Sequence, residues 1–432
     1  MPGVHTPTAP ATGAHTAARP RRAAPPPPPP GRWTAPVVRA WPALAGYALV
    51  RLVGIAFVAL RLPDRGPGLG TLLAAKYDTV YYVHIAQYGY AAPMTDACAV
   101  QGPLCKYAFF PLYPALIRGV SAVLPLPAGP VAWGIAVVAS LAAAWGIYAV
   151  ARELAGQRAG VIAAVLWGIA PHAMVESMAY TEPLFTALCA WALYAAVTRR
   201  WAVAGVLASL AGLTRPSGSA VVAAVVLAAL WTLFTRARAG RAGTGTGPGG
   251  GGGGRRRGRP AAGRADRTGP LLVAVVVAPL GWFAWFGWVG HRAGDWRGYF
   301  QVQEKWGSTF DGGSFTFHRI ADIFRTLPTN LNTLVGAGTV VAALLLFALC
   351  CRDRQPAVLL VYAGVLLLIA VGGEGYFHSK ARFLLPAFPL LIPAARALAA
   401  ARPSTLYPLL GTAVVVSGAY GGYLMLVWPH SP

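Results

Sequence analysis

Charge is what this 432-residue chain has least of: Asp, Glu, Lys and Arg together make up 11%, against roughly 25% in a soluble domain. Acids are scarcer still, 13 against 36 basic residues. That composition excludes an ordinary soluble enzyme. No second carboxylate lies close in sequence to Asp78, there is no His-x-x-x-His pair, and the five cysteines form no zinc-type cluster, so no resident metal is expected. A Walker-type loop is absent too. The glycines at 247–254 are low complexity without the strand and helix context of a phosphate loop, which argues against a sugar nucleotide and against any bound cofactor. Residues 1–35 have no continuous apolar stretch of the kind a cleaved signal peptide needs.

What is present is apolar. Hydrophobic residues make up 56% of the chain, and the mean hydropathy is +0.53. Runs of about 20 apolar residues recur, each long enough as a helix to cross a hydrocarbon core of roughly 30 Å. The expectation is an all-α polytopic membrane protein. Residues 1–40 read as a disordered Pro/Arg-rich cytoplasmic tail, with Arg19, Arg21, Arg22, Arg32, Arg39 and a run of six prolines, ahead of a transmembrane domain over 41–430.

The formal charge of +23 raises the question of nucleic acid, which its distribution answers. Besides the tail, nine arginines crowd the Gly-rich segment from Arg236 to Arg267 with one acid, Asp266. Arginine beside apolar spans is an orientation signal, so the tail and a loop over 237–268 are expected on the cytoplasmic side, with no nucleic-acid partner.

Propagating that orientation gives about eleven spans, near 41–62, 129–151, 159–175, 182–199, 200–216, 218–236, 270–290, 332–351, 356–373, 383–400 and 406–428. Parity leaves residues 109–126 with both ends outside, as a piece lying along the membrane or re-entering it. Extracytoplasmic chemistry must then come from a long first loop over 63–128, a loop over 291–330, and the turns at 172–182, 214–217 and 374–382. Cys98 and Cys105 share the first loop, an oxidising location in which a short bridge is expected.

The first loop carries the most specific pattern in the chain, Lys76-Tyr-Asp-Thr-Val-Tyr-Tyr-Val-His-Ile-Ala-Gln-Tyr-Gly-Tyr90, followed by Ala108-Phe-Phe-Pro-Leu-Tyr-Pro114. It places one carboxylate, Asp78, among aromatic residues just beyond a span. His84, six residues on, falls on a different helical face and reads as interfacial. An Asp at such a point also has a plain structural use as a helix cap.

These blocks resemble the PIG-V-like mannosyltransferases of glycosyltransferase superfamily C. The matching residues are Asp78, Tyr82, Ile85, Ala86, Gly89 and Tyr90, then Ala108 to Pro114, with weaker likeness in Tyr180-Thr-Glu182, Thr214-Arg-Pro216 and Arg382-Phe-Leu-Leu-Pro-Ala-Phe-Pro389. Tyr77 stands where that family often has Trp, and Tyr81 where it often has His or Trp. The resemblance implies a multispanning inverting transferase that takes mannose from a polyprenyl-phosphate donor and passes it to a hydroxyl of a glycolipid or other membrane-associated acceptor on the extracytoplasmic side. The Ala-, Gly- and Arg-heavy composition points to a GC-rich bacterial genome, in which case the bilayer is the plasma membrane.

Such a reaction needs a base for the acceptor proton, which Asp78 supplies as the expected catalytic residue. Arg215, Lys380 and Arg382, with His378 and Arg319 behind them, are candidates for the leaving phosphate. Snorkelling to the interface is the alternative role for the lysine and Arg382. Tyr77, Tyr81 and Tyr82 are placed to stack on a sugar ring. Glu182, at the mouth of an apolar helix, is a site residue or an ion-pair partner of Arg215. A lipid or glycolipid transporter and a noncatalytic partner of a glycosylation complex are the competing readings. No two-half symmetry of the transporter kind is evident.

Overall fold

The computed structural model describes residues 34–94, 98–242, 268–325 and 329–431. Most of the expected 1–40 tail and most of the 237–268 loop lie outside the described residues. Contacts divide the chain into Met1–Arg39, of which Thr34–Arg39 is described and helical, and Ala40–Pro432, which carries the features that follow. Among the described residues the regular secondary structure is all helical, with one isolated bridge between Phe310 and Gly373.

Among the described residues six helices are long and apolar enough to cross a membrane: Val38–Ala59, Ala128–Ala155, Pro216–Ala239, Gly269–Ala293, Leu331–Arg352 and Pro403–Leu426. A bent pair, Phe377–Leu384 and Phe388–Ala400, makes seven if it is one span. The chain is a multi-pass membrane protein, but eleven full-length spans are not what is seen. The segments expected to cross near 159–175, 182–199, 200–216 and 356–373 form Gln157–Gly168, Glu182–Val197, Trp201–Gly212 and Ala357–Gly372, of 12, 16, 12 and 16 residues. Their ends have local causes. Gly156, at φ 88°, breaks the chain between Ala128–Ala155 and Gln157–Gly168, a conformation open to glycine at little cost. Arg199, at φ 61°, turns it between Glu182–Val197 and Trp201–Gly212. The 109–126 piece contains only the 12-residue helix Leu112–Val123.

Alanine and glycine let these helices approach closely, which is how packing is achieved where lipid removes the hydrophobic drive between helices. The central core joins Ala143, Ala144 and Ile147 of one long helix to Ala190 and Leu193 of Glu182–Val197 and to Ala204, Ala208 and Ala211 of Trp201–Gly212. At Gly281 the Gly269–Ala293 span lies so close to Trp201–Gly212 that an added Cβ would collide with the Ser209 carbonyl oxygen. The Gly281 amide donates to Ser209 Oγ at 2.9 Å.

The bent pair turns by 76° where Pro386 and Pro389 interrupt it, since proline removes an amide donor and clashes with the preceding turn. The exposed carbonyls are recovered by side chains. Trp167 Nε1 donates to Leu385 O at 3.1 Å, Tyr362 Oη to Pro386 O at 2.9 Å and Gln355 Nε2 to Pro389 O at 3.4 Å. The break fixes the direction in which Phe377–Leu384, with Arg382, enters the site. Two loops are joined alongside it, because the Glu374 amide donates to Thr309 O at 2.8 Å and the Asp311 amide to Gly372 O at 3.1 Å.

The close helix approach generates a stability test. Gly281→Ala should destabilise the protein by about 1–3 kcal/mol, the usual cost of overpacking, read as a lower unfolding temperature in detergent. An unchanged transition would show that the two helices separate freely.

Candidate active site

Asp78 precedes the helix Thr79–Tyr88. The loop before it is pinned to the 172–182 turn: the Ala179 amide donates to Leu73 O at 2.8 Å, and Thr79 Oγ1 donates to Ala179 O at 3.1 Å. The Asp78 amide, in turn, donates to Tyr180 Oη at 3.4 Å. Its side chain makes no cap bond to its own helix, so the carboxylate is directed elsewhere.

It meets Arg382. Nη1 of that arginine lies 3.2 Å from Asp78 Oδ2, while Nε lies 3.4 Å from Glu182 Oε1. Glu182 Oε1 is also 2.5 Å from Arg215 Nη1. Two acids and two arginines, drawn from positions 78, 182, 215 and 382, thus form one chain of ion pairs with no net formal charge. Glu182 is 1% exposed, and Asp78 at 27% is the most open member. Glu182 opens the helix Glu182–Val197 with Pro183 behind it, so the helix dipole also favours its charge.

Hydroxyls extend the cluster. Arg215 Nη1 donates to Thr181 Oγ1 at 3.2 Å, and Tyr82 Oη lies 3.2 Å from the same oxygen. Burial raises the Asp78 carboxyl above its ordinary range, Arg382 opposes the rise, and Glu182 adds to it. The Tyr81 and Tyr82 hydroxyls are raised by burial first and by Asp78 second. Both tyrosines remain protonated donors.

Aromatic residues wall the cluster, although not all as free platforms for a sugar. Tyr82 is buried edge-on to Phe109 and Tyr113. Tyr81 stacks on Phe109 at 4.4 Å and meets the edge of Trp306 at 5.4 Å. Tyr77 holds φ 58°, a left-handed conformation costly for a bulky residue. Its buried hydroxyl has no protein partner among the described residues. Tyr376, at φ 47°, donates its hydroxyl to Trp306 O at 2.5 Å. Strained backbone therefore occurs on two sides of Asp78.

Beyond Trp306 and Tyr376 opens a cavity of about 520 Å³, also lined by Phe315, Arg319, His378, Trp428 and His430. His378 and Arg319 belong to this cavity rather than to the ion-pair chain. Lys380 belongs to neither. Its ammonium is buried and donates to Ala370 O and Gly373 O, both at 2.7 Å, capping the end of Ala357–Gly372. His84 lies 5.0 Å from the Tyr88 ring, outside the cluster.

Cys98 and Cys105 are joined by a disulfide with Cα atoms 5.7 Å apart. Trp306 Nε1 donates to Cys105 O at 3.1 Å, which ties that loop to the cavity wall. Among the described residues no group of His, Cys, Asp and Glu is arranged to hold a metal ion. Trp306, Tyr376, Trp428, His430 and Ser431 were not legible as site residues, because an aromatic or a serine in an apolar chain gives no local signal of what it faces. A second buried carboxylate, Glu176, stands apart with Tyr47 Oη donating to it at 3.0 Å; burial pushes its carboxyl up to about 8, against the pull of Arg51.

The family described as dolichyl-phosphate-mannose-protein mannosyltransferase matches residues 106–241, less than half of the chain. No curated protein sequence matches. Among solved structures, ArnT from Cupriavidus metallidurans bound to undecaprenyl phosphate aligns at 16% identity and a TM-score of 0.49, over 88% of this chain and 64% of that one. The oligosaccharyltransferase AglB from Archaeoglobus fulgidus, in complex with an inhibitory peptide and a dolichol-phosphate, aligns at 14% identity and a TM-score of 0.43, over 91% and 56%. The chain thus spans less than two thirds of the length of either.

The buried ion pairs generate a prediction. Glu182→Gln leaves Arg382 paired with Asp78 and takes from Arg215 the carboxylate it meets at 2.5 Å, and should cost about 3–5 kcal/mol, the range for breaking a buried pair from one side. Asp78→Asn, at the open end, should cost much less. Equal unfolding temperatures for the two variants in detergent would contradict this ranking.

Proposed function

We propose that the chain is an inverting glycosyltransferase that moves mannose from polyprenyl-phosphate mannose to a hydroxyl of a lipid-linked or other envelope acceptor on the extracytoplasmic side. The observation that carries this reading is the placement of Asp78 at the open end of a neutral ion-pair chain, beside an aromatic cavity lined by Arg319, His378 and His430. The family match over residues 106–241 supports it.

In the proposed step the acceptor oxygen attacks the anomeric carbon while Asp78 takes the hydroxyl proton. The new carbon–oxygen bond forms as the bond from that carbon to the donor phosphate oxygen breaks, and the phosphate leaves with the electron pair. One displacement inverts the anomeric centre and calls for a single base. A carboxyl raised by burial is a stronger base than one in water, which suits the task. Arg382 holds the carboxylate in place and keeps its charge from rising too far in energy. Arg319 supplies the cavity with a cation for the phosphate.

Membranes carrying wild type or Asp78→Asn, given radiolabelled polyprenyl-phosphate mannose and an extract of host lipids and envelope proteins, test this directly. Transfer should fall about 10²–10⁴-fold in the variant, the range for losing general-base catalysis. Equal transfer by both would remove Asp78 from the chemistry, and no transfer by wild type would favour the transporter or partner role.

The pH dependence follows from the same carboxyl. A base works only when deprotonated, so transfer is lost as pH falls through the Asp78 pKa. Because that pKa is raised from 3.8, the acid limb of kcat/KM should lie above the ordinary carboxylate range. Arg382→Gln removes the opposing cation and should move the limb to still higher pH; a limb that stays put would assign it to another group.

A further inference from the structure

The segment that follows the last helix, Pro403–Leu426, carries no motif and no charge pattern, yet it enters the candidate site. The chain turns as the amides of Val427 and Trp428 donate to Tyr423 O at 3.0 and 2.9 Å. Trp428 and His430 then line the cavity, with their rings 5.7 and 5.9 Å from that of His378. Ser431 goes further. Its Oγ lies 3.2 Å from Arg382 Nη1, which donates to it, and 2.9 Å from Tyr180 Oη.

These contacts close a ring around the catalytic carboxylate. From Asp78 Oδ2 it runs to Arg382 Nη1, then to Ser431 Oγ, then to Tyr180 Oη, and returns to the Asp78 amide. One Arg382 nitrogen therefore has two anchors, the carboxylate and the serine hydroxyl. Tyr180 is fully buried and cannot move to replace the serine. Without Ser431 that nitrogen is held by Asp78 alone; Nε of the same arginine stays on Glu182, but the guanidinium loses the hydroxyl contact that sets the angle of its Nη1 against the carboxylate.

We propose that Ser431 is a positioning residue for the transfer reaction, acting through Arg382 to hold Asp78, and that the segment from Trp428 to Ser431 is a strap that forms part of the site. The proposal rests on the transferase reading, so its test needs one readout independent of turnover. Ser431→Ala should lower the transfer rate at saturating polyprenyl-phosphate mannose by about tenfold, the loss expected for one hydrogen bond to a charged group, with the donor KM unchanged. Ser431→Thr, which keeps the hydroxyl, should restore the rate. In parallel, labelling of Arg382 by phenylglyoxal in intact membranes, followed by peptide mass spectrometry, should rise in Ser431→Ala and return to the wild-type level in Ser431→Thr.

A wild-type rate in Ser431→Ala, or a loss that the threonine does not restore, would overturn the proposal. Should wild type itself transfer no sugar, the transferase reading fails and the labelling decides the positioning role alone. A rise confined to the alanine variant supports it, and equal labelling in all three overturns it.

Discussion

Arg382 bridging Asp78 and Glu182 is the interaction on which the site depends. Carboxylates brought into a poorly solvated setting need cationic partners, since an isolated buried charge is costly. Arg382 serves both acids, and Arg215 secures the deeper one. The arrangement draws on four separated parts of the chain, so it forms only when the loop before Thr79–Tyr88, the start of Glu182–Val197, the turn before Pro216 and the first half of the bent pair are all in place. Electrostatic neutrality of the four residues and correct assembly of the helices are thus one condition.

The bent pair shows how the fold meets that condition. A straight helix through residues 377–400 would satisfy its own carbonyls but would carry Arg382 on a different path. Pro386 and Pro389 break it, and Trp167, Tyr362 and Gln355 from three other segments take up the freed acceptors. Non-helical backbone is tolerated in a membrane protein where protein groups replace the missing bonds. Here those groups also fix the angle of the arginine-bearing half.

Part of this was legible in the sequence because charge is so scarce. Asp78, Glu182, Arg215 and Arg382 each interrupt an apolar neighbourhood, and such residues stand out whatever the fold. Their mutual contacts could not be read, since nothing local specifies which acid faces which arginine. Lys380 looked equivalent to Arg382 two residues away, but its ammonium caps Ala370 and Gly373, a role set by where another helix ends. Helix lengths were overestimated for a similar reason: hydropathy records which segments avoid water and marked the boundary near Arg199, but it gave no sign that Gln157–Gly168 and Trp201–Gly212 stop several residues before the expected ends at 175 and 216. Ser431 was invisible, because a hydroxyl becomes informative only through its partners.

The short apolar helices bear on what holds each segment in the bilayer. A 12-residue helix reaches about 18 Å, well under the roughly 30 Å of a hydrocarbon core, so Gln157–Gly168 and Trp201–Gly212 lack the length to partition as independent transmembrane units. The 28-residue Ala128–Ala155 helix is made before both and offers the alanine-rich face to which the core of the bundle attaches. The place of the two short helices in the bilayer therefore rests on packing against that helix rather than on their own length.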